Sequence, residues 1–300
     1  AKIKNEILVF SKLQKNNIEL AYKENVTLNI SSFDDIEHVD SFYLRNKVSP
    51  KYHLKFDTGM TRLGFDIEDA EAVCKSLSKS LGPFIEGVYT HFATADEGDL
   101  SYAEKQLNDF KIVIKKVENF GLKFKFIHCS NSGAVLNLEE SYFNMVRVGM
   151  LLYGALPSNE VYDNIGIRPI MSFCGSIVNV RSVKKDTPVS YGGVYKTVSD
   201  TNIAVIQTGF ADGFPRPWFD KGYVIYNGQK FKIAGRVCMD QLMIDFGNVV
   251  PKIGDDVLFF GDNEIGNLPV EIIADQINST PYVLFTAIGG RTKSIYINKN

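Results

Sequence analysis

Long hydrophobic runs are missing from this chain. No stretch of its 300 residues approaches the ~18 apolar residues that a membrane helix needs, so no membrane partner is expected. The start, AKIKNEILVF, has too short an apolar run for a signal peptide and no small-residue cleavage site after it. An excess of either charge is missing too. Lys and Arg number 33 against 35 Asp and Glu, a net charge of −2, which offers no basic field to nucleic acid and leaves no acidic tail. Cysteine is scarce: Cys74, Cys129, Cys174 and Cys238 lie far apart, none forms a CxxC, and no histidine stands at zinc-ligand spacing, so no metal is expected. Reduced thiols in a cytoplasmic protein are the expectation, with one disulfide pair as the alternative. Internal repeats and low-complexity tracts are absent.

What is present reads as a folded chain of ordinary composition, 45% apolar and 23% charged, long enough for one large or two medium domains. The first half alternates short apolar runs with amphipathic segments. ILVF (7–10), TLNI (27–30), HLKF (53–56), GVYT (87–90) and FKFIH (124–128) read as strands. Between them, Asp66 can cap a helix carrying Ile67, Ala70, Val73, Leu77 and Leu81. Ser101 and Glu104 form a capping box before Leu107, Phe110, Ile114 and Val117, and Gly121 stands where a helix-ending glycine belongs. Strands alternating with such helices imply βαβ units and a parallel sheet. Near residue 165 the texture changes to closely spaced β runs: SIVNV, IAVIQ, YVIY, KFKI, LMIDF, DVLFF and SIYI. Among them Asn227-Gly228 marks a hairpin, because both residues tolerate positive φ. The expected plan is an α/β domain over 1–165 and a mostly β domain over 166–300, with the boundary between 160 and 170.

In a parallel α/β barrel, chemistry gathers at the C-terminal ends of the strands. Polar segments follow one strand after another there: HLKFDTGMTRLGF, YTHFATADE, HCSNSGAVL and NMVRVGMLLYGALPS. Each alone is ordinary loop chemistry; four in succession at one end point to a site. Ser130-Asn131-Ser132-Gly133 and the Gly149 region can present amides and hydroxyls to a phosphate.

These segments, together with SYGGVY (190–195), TGFADGFPR (208–216), AGRVCMDQLMIDFG (234–247) and IGGRTKSIYI (288–297), resemble the alanine racemase family, in the family's own order and over nearly the whole chain. The resemblance implies a pyridoxal 5'-phosphate (PLP) enzyme with a TIM-like α/β barrel, about six of eight βα units being present, and a C-terminal β domain. It implies interconversion of L- and D-alanine by two bases, one per face of the substrate, supplying D-alanine for peptidoglycan. Tyr191 matches the tyrosine base, with His91 and Arg147 as its supports. Arg147 also matches the arginine that faces the cofactor's pyridine nitrogen; a structural Arg paired with a barrel carboxylate is the bland reading. Ser132, Gly149 and Met150 match the phosphate cup. Arg62, Met239 and Asp240 match substrate-side positions, Met239 through its backbone N–H, and Lys55 matches a lysine often carbamylated in this family. His38, His53 and His128 read as packed or surface histidines. Because the tyrosine and the CMDQ loop reach the cofactor from the partner subunit in this family, the resemblance implies a homodimer with shared sites.

Departures from the family pattern set further expectations. No segment resembles VVKANAYGHG, which carries the PLP lysine, so the chain is expected to be a fragment lacking the first two βα units and inactive alone, with an exposed barrel edge. Phe210 stands in the family's Gly-Tyr-Ala-Asp-Gly segment. Gly290 stands where many members carry a tyrosine before Arg291, which opens space beside the substrate methyl and suggests acceptance of serine. Two alternatives to a racemase are a non-catalytic PLP-fold protein and a related PLP decarboxylase. Retention of Tyr191, Arg62, His91, Arg147 and CMDQ weighs against the first, and GRVCMDQ with SYGGVY against the second.

Overall fold

The computed structural model describes residues 3–77, 81–161 and 165–297. The chain divides after Gly149 into two compact units, with the segment around Glu160 returning to the first. The expected boundary region of 160–170 includes 162–164, which lie outside the described residues.

The first unit is a parallel half-barrel. Strands β1 (Ile7–Leu8), β2 (Val26–Ile30), β3 (Tyr52–Lys55), β4 (Ile85–Tyr89) and β5 (Phe126–His128) pair in chain order. Each of the five apolar runs read as strands in the first half forms one, so five of the six expected units carry a strand in the described ladder, whereas SIYI near the C-terminus forms none. Helices α1 (Ile18–Lys23), α2 (Phe33–Asn46), α3 (Ala70–Ser76) and α4 (Ser101–Asn119) connect them, and α5 (Ser132–Asn137) follows β5. Helix α2 begins where the Ser32 hydroxyl accepts the Asp35 N–H, and it buries Ile36, Val39 and Phe42 at helical spacing. The register of α4 buries Ala103, Leu107, Phe110, Val113, Ile114 and Val117.

Two helix-end expectations fail for physical reasons. The Ser101–Glu104 capping box does not form. Leu100 occupies the cap position, and the Ser101 N–H is taken instead by the Asp99 carboxylate at 2.9 Å. The helix expected from Asp66 starts as a 3-10 turn at Ile67–Asp69 with no side-chain cap, and its α part ends at Ser76 because Leu77 is extended; positions 78–80 lie outside the described residues. Gly121 does follow the end of α4 at φ +90°, where a side chain would be strained.

In the second unit, β6 (Phe173–Val183), β9 (Thr201–Ile206), β10 (Tyr223–Tyr226), β11 (Gln229–Ile233), β12 (Leu242–Asp245), β13 (Asp256–Asn263) and β14 (Gly266–Leu268) form one antiparallel sheet in the order β10-β11-β12-β9-β6-β13-β14. A further pairing of β10 with β13, Ile225 opposite Leu258, brings the sheet round on itself and removes most of its free edge. Asn227 (φ +48°) and Gly228 (φ +74°) make the expected two-residue turn between β10 and β11. A separate ribbon pairs β7 (Pro188–Val189) with β8 (Tyr195–Lys196). Helices α6 (Val270–Gln276) and α7 (Pro281–Ala287) complete the unit, packing Ile273 and Leu284 into a core that includes Trp218, Phe259 and Phe260.

Candidate active site

The register of the half-barrel decides which side chains share its polar face. Asn29 on β2 pairs with His53 on β3, His53 with Gly87 on β4, and Gly87 with Phe126 on β5. Two residues on, Lys55 pairs with Tyr89 and Tyr89 with His128. Strand side chains alternate, so these two rows share one face. Leu28, Leu54, Val88 and the neighbouring Ile30 point the other way, into the apolar core under the helices. The result is a face of buried polar groups: Asn29, His53, Lys55 and His128.

Arg147 lies over this face. Its Nη1 donates to His128 Nδ1 at 2.8 Å. Its Nη2 donates to the Thr90 carbonyl at 2.9 Å, the Cys129 carbonyl at 3.0 Å and His91 Nδ1 at 3.2 Å. The guanidinium also stands 5.5 Å from the Tyr89 ring centre and 5.7 Å from that of Phe10. Among the described residues no carboxylate forms an ion pair with Arg147. Every acceptor around it is neutral, so the bland reading of an Arg–carboxylate pair does not hold. Burial lowers the Arg147 pKa to about 10. Burial, with the Arg147 charge next, also depresses the histidines, His91 to about 3 and His128 to about 2. All three rings of the cluster, His53 included, are therefore neutral at pH 7.

Lys55 ends β3 only 3% exposed. Among the described residues its ammonium has no hydrogen-bond or ion-pair partner, and it stands 5.7 Å from the Tyr89 ring centre. Burial, then the neighbouring Arg62 charge, lowers its pKa to about 8. The Arg62 loop is shaped by Asp57, whose carboxylate accepts the N–H groups of Gly59 at 2.8 Å and Arg62 at 3.0 Å. A second buried residue, Gln106 on α4, holds the His91 segment. Its amide oxygen accepts the Ala93 N–H at 2.9 Å and its amide nitrogen donates to the His91 carbonyl at 3.2 Å.

Ser132 opens α5 after Asn131, whose side chain caps the Ala134 N–H. The Ser132 hydroxyl accepts the Gly149 N–H at 3.0 Å, which brings these two cup candidates together. Gly133 between them and the Ala95–Asp96 backbone has no room for a side chain: an added Cβ would stand 2.7 Å from the Asp96 nitrogen. The Ser132 hydroxyl, the Gly149 segment beside it and a guanidinium with no carboxylate partner among the described residues form a donor set suited to PLP, with phosphate at one end and a pyridine nitrogen at the other.

The remaining candidates belong to the second unit. Met150 is buried in its core. Tyr191 follows Ser190, held at φ +65°, and is 70% exposed. Met239 is 55% exposed. Its carbonyl accepts the Ala211 N–H at 3.0 Å, while the Cys238 carbonyl accepts the Phe210 N–H at 3.0 Å. Gly209 permits that clamp, since a Cβ there would lie 2.2 Å from the Met239 oxygen. Asp240 accepts from Arg291 at 2.5 Å, so its carboxylate is already engaged.

Besides Gln106, sequence reasoning missed two participants. His53 and His128 are packed, as expected, but they also continue the Arg147 cluster, with His53 Nδ1 2.9 Å from His128 Nε2. The usable signal was strand alternation: His53 and Lys55 share a face, as do Tyr89 and Gly87, the glycine that makes room for the His53 ring. Among the described residues no helix is long and apolar enough to cross a membrane, and no group of three or more His, Cys, Asp or Glu is placed to hold a metal.

Comparison with known proteins agrees with this geometry. Family models described as "Alanine racemase, N-terminal domain" and "Alanine racemase, C-terminal domain" match residues 1–157 and 170–296. An alanine racemase of Desulforamulus reducens is 37% identical over 300 residues, covering 99% of this chain and 80% of its own length. The crystal structure of alanine racemase from Streptomyces lavendulae superposes with a TM-score of 0.91 at 29% identity, covering 99% of this chain and 79% of that one. A Bartonella henselae alanine racemase, described with covalently bound pyridoxal phosphate, gives a TM-score of 0.82 at 26% identity, with 93% and 75% covered. The chain belongs to the alanine racemase family of PLP-dependent isomerases.

Proposed function

We propose that racemisation by this protein uses Tyr191 as the base on one face of alanine, with Arg147 and His91 as the groups that serve the cofactor and support the base. The observation that carries this reading is Arg147, a half-buried guanidinium among neutral acceptors with no carboxylate partner among the described residues. PLP held here would supply an electron sink for the substrate Cα, making its proton removable. Arg147 keeps its own proton at pH 7, so it can donate to the pyridine nitrogen and leave that nitrogen unprotonated. Ser132, Gly149 and Met150 hold the phosphate. Arg62 and the Met239 N–H hold the substrate carboxylate; that N–H donates to no backbone group among the described residues. Asp240, through Arg291, steadies the Met239 loop. Residues 1–165 supply the PLP face and 166–300 the base.

Exposure of Tyr191 and Met239 supports a homodimer in which each chain lends these residues to its partner's site. We place the enzyme in the cytoplasm, supplying D-alanine for peptidoglycan.

Lys55 fits a carbamate. Near pH 8 much of its buried amine is unprotonated. Attack on CO2 forms the N–C bond, releases the amine proton to water and leaves an anion beside Arg62. In 13C-bicarbonate the protein is expected to show a carbamate carbon signal that Lys55→Ala lacks; a wild-type protein without the signal removes the carbamate from this account.

A second substrate is favoured by Gly290. An added Cβ there meets nothing within 4 Å. With PLP and the PLP-lysine segment both supplied, the protein is expected to convert L-alanine to D-alanine and to turn over L-serine with a kcat/KM within about 100-fold, since a pocket with room cannot strongly reject one hydroxyl. Gly290→Tyr is expected to suppress serine more than alanine. No D-alanine from PLP-loaded protein that carries the PLP-lysine segment sinks the functional reading, and undetectable serine turnover sinks the second substrate alone.

A further inference from the structure

Arg147 is seated by His128, and His128 by His53. A guanidinium has only donors, so His128 Nδ1 facing it must be the lone-pair nitrogen. The proton of neutral His128 then sits on Nε2 and is donated to His53 Nδ1 at 2.9 Å. His53 in turn carries its proton on Nε2. Two buried imidazoles and the half-buried guanidinium are thereby locked in one order of donors and acceptors, starting from the member whose protonation is fixed.

We propose that His53 is a positioning residue: its Nδ1 lone pair fixes the tautomer of His128 and, through His128, the seat of Arg147. Remove that acceptor and the buried Nε2–H of His128 has no partner. Its relief is to move the proton to Nδ1, which then meets the Arg147 N–H donor against donor and displaces the guanidinium. The surroundings are built for the ring. Gly87, across the ladder from His53, lacks the Cβ that would stand 2.6 Å from both Nδ1 and Cε1 of the imidazole. The Phe126 ring covers it at 5.5 Å between centres. The charges acting on His53 are Glu6, Arg147 and Lys125, and burial outweighs them, keeping the ring neutral with a pKa of about 4.

The proposal rests on the reading that Arg147 serves the cofactor, and the experiment separates the two. Nitrogen-15 histidine spectra of the PLP-loaded protein are expected to show His53 and His128 with bare Nδ1 and protonated Nε2. His53→Leu removes the acceptor, and Gly87→Ala keeps every bonding group but pushes the ring aside. Both are expected to change the His128 tautomer signal, shift the absorption band of bound PLP and weaken its binding roughly tenfold. His53→Asn, whose amide oxygen can stand where Nδ1 stood, is expected to restore all three. A protonated Nδ1 on His128 in the wild type, or a His53→Leu protein with unchanged tautomer and PLP affinity, overturns the proposal. Unchanged PLP binding in Arg147→Met would instead strike the cofactor reading and leave the tautomer result standing.

Discussion

Acidification from about pH 7 to about pH 5 is expected to cost the first unit roughly 6 kcal/mol of stability, most of what a domain of this size possesses. The cause is the row of neutral histidines. His53, His91 and His128 have folded-state pKa values of about 4, 3 and 2, all depressed first by burial. In the unfolded chain each titrates near ~6.5. Between those values the unfolded chain binds protons that the folded one refuses, so stability falls as pH falls below ~6.5; each ring contributes about 2 kcal/mol at pH ~5. The window identifies the cause. Burial pushes the Asp57 carboxyl up, but the backbone N–H groups of its loop together outweigh it and leave the pKa lowered, so its contribution is lost only at still lower pH. Lys55, depressed to about 8, already bears its full cost throughout this range. Denaturant midpoints measured at half-unit steps of pH check this. A steep decline setting in near pH 6.5 is the expected result; a midpoint flat down to pH 5 would falsify the claim that these rings are buried and neutral.

Replacing Tyr191 by Phe is expected to lower kcat for alanine by about 10²–10⁴-fold, the usual cost of removing a positioned general base. The change deletes one hydroxyl from a side chain that is 70% exposed, so folding is expected to be untouched. PLP affinity is expected to hold as well, because the phosphate and pyridine partners assigned above include no tyrosine. Mixing gives the sharper test of shared sites. Tyr191→Phe and Arg147→Met proteins are each expected to be nearly inactive. If each site takes Tyr191 from one chain and Arg147 from the other, a mixed dimer contains one intact site and recovers activity. If both residues serve their own chain, mixing recovers nothing.

Much of this arrangement was legible in the residues because local rules and tertiary packing agree. The five apolar runs became strands since each is too short and too β-branched or aromatic for a helix in a βα repeat. Asn227-Gly228 became its turn because few other pairs adopt two positive φ values cheaply. Helix ends were harder. Ser101 and Glu104 satisfied a capping-box spacing, yet Asp99 two residues upstream offered a stronger, charged acceptor to the same turn. The site shows the same division. Arg147, His91 and Ser132 stand out by motif, but the roles of His53 and His128 depend on register. Only the ladder, His53 to Gly87 to Phe126 and Tyr89 to His128, shows that residues 75 positions apart touch. Gln106 was invisible for a similar reason: a buried glutamine on an amphipathic helix reads as an exposed position until the His91 segment is seen resting on it.

The account's central claim is that this chain moves the Cα proton of alanine with Tyr191 on one face. The most direct measurement is proton exchange in D2O, with PLP-loaded protein that carries the PLP-lysine segment and each alanine enantiomer in turn, followed by NMR of the Cα position and chiral analysis. The wild type is expected to yield deuterated product of the opposite configuration from both enantiomers. Tyr191→Phe is expected to lose inversion in both directions while one enantiomer, the one whose proton does not face residue 191, still exchanges with retention. Equal inversion by Tyr191→Phe and wild type would contradict the account.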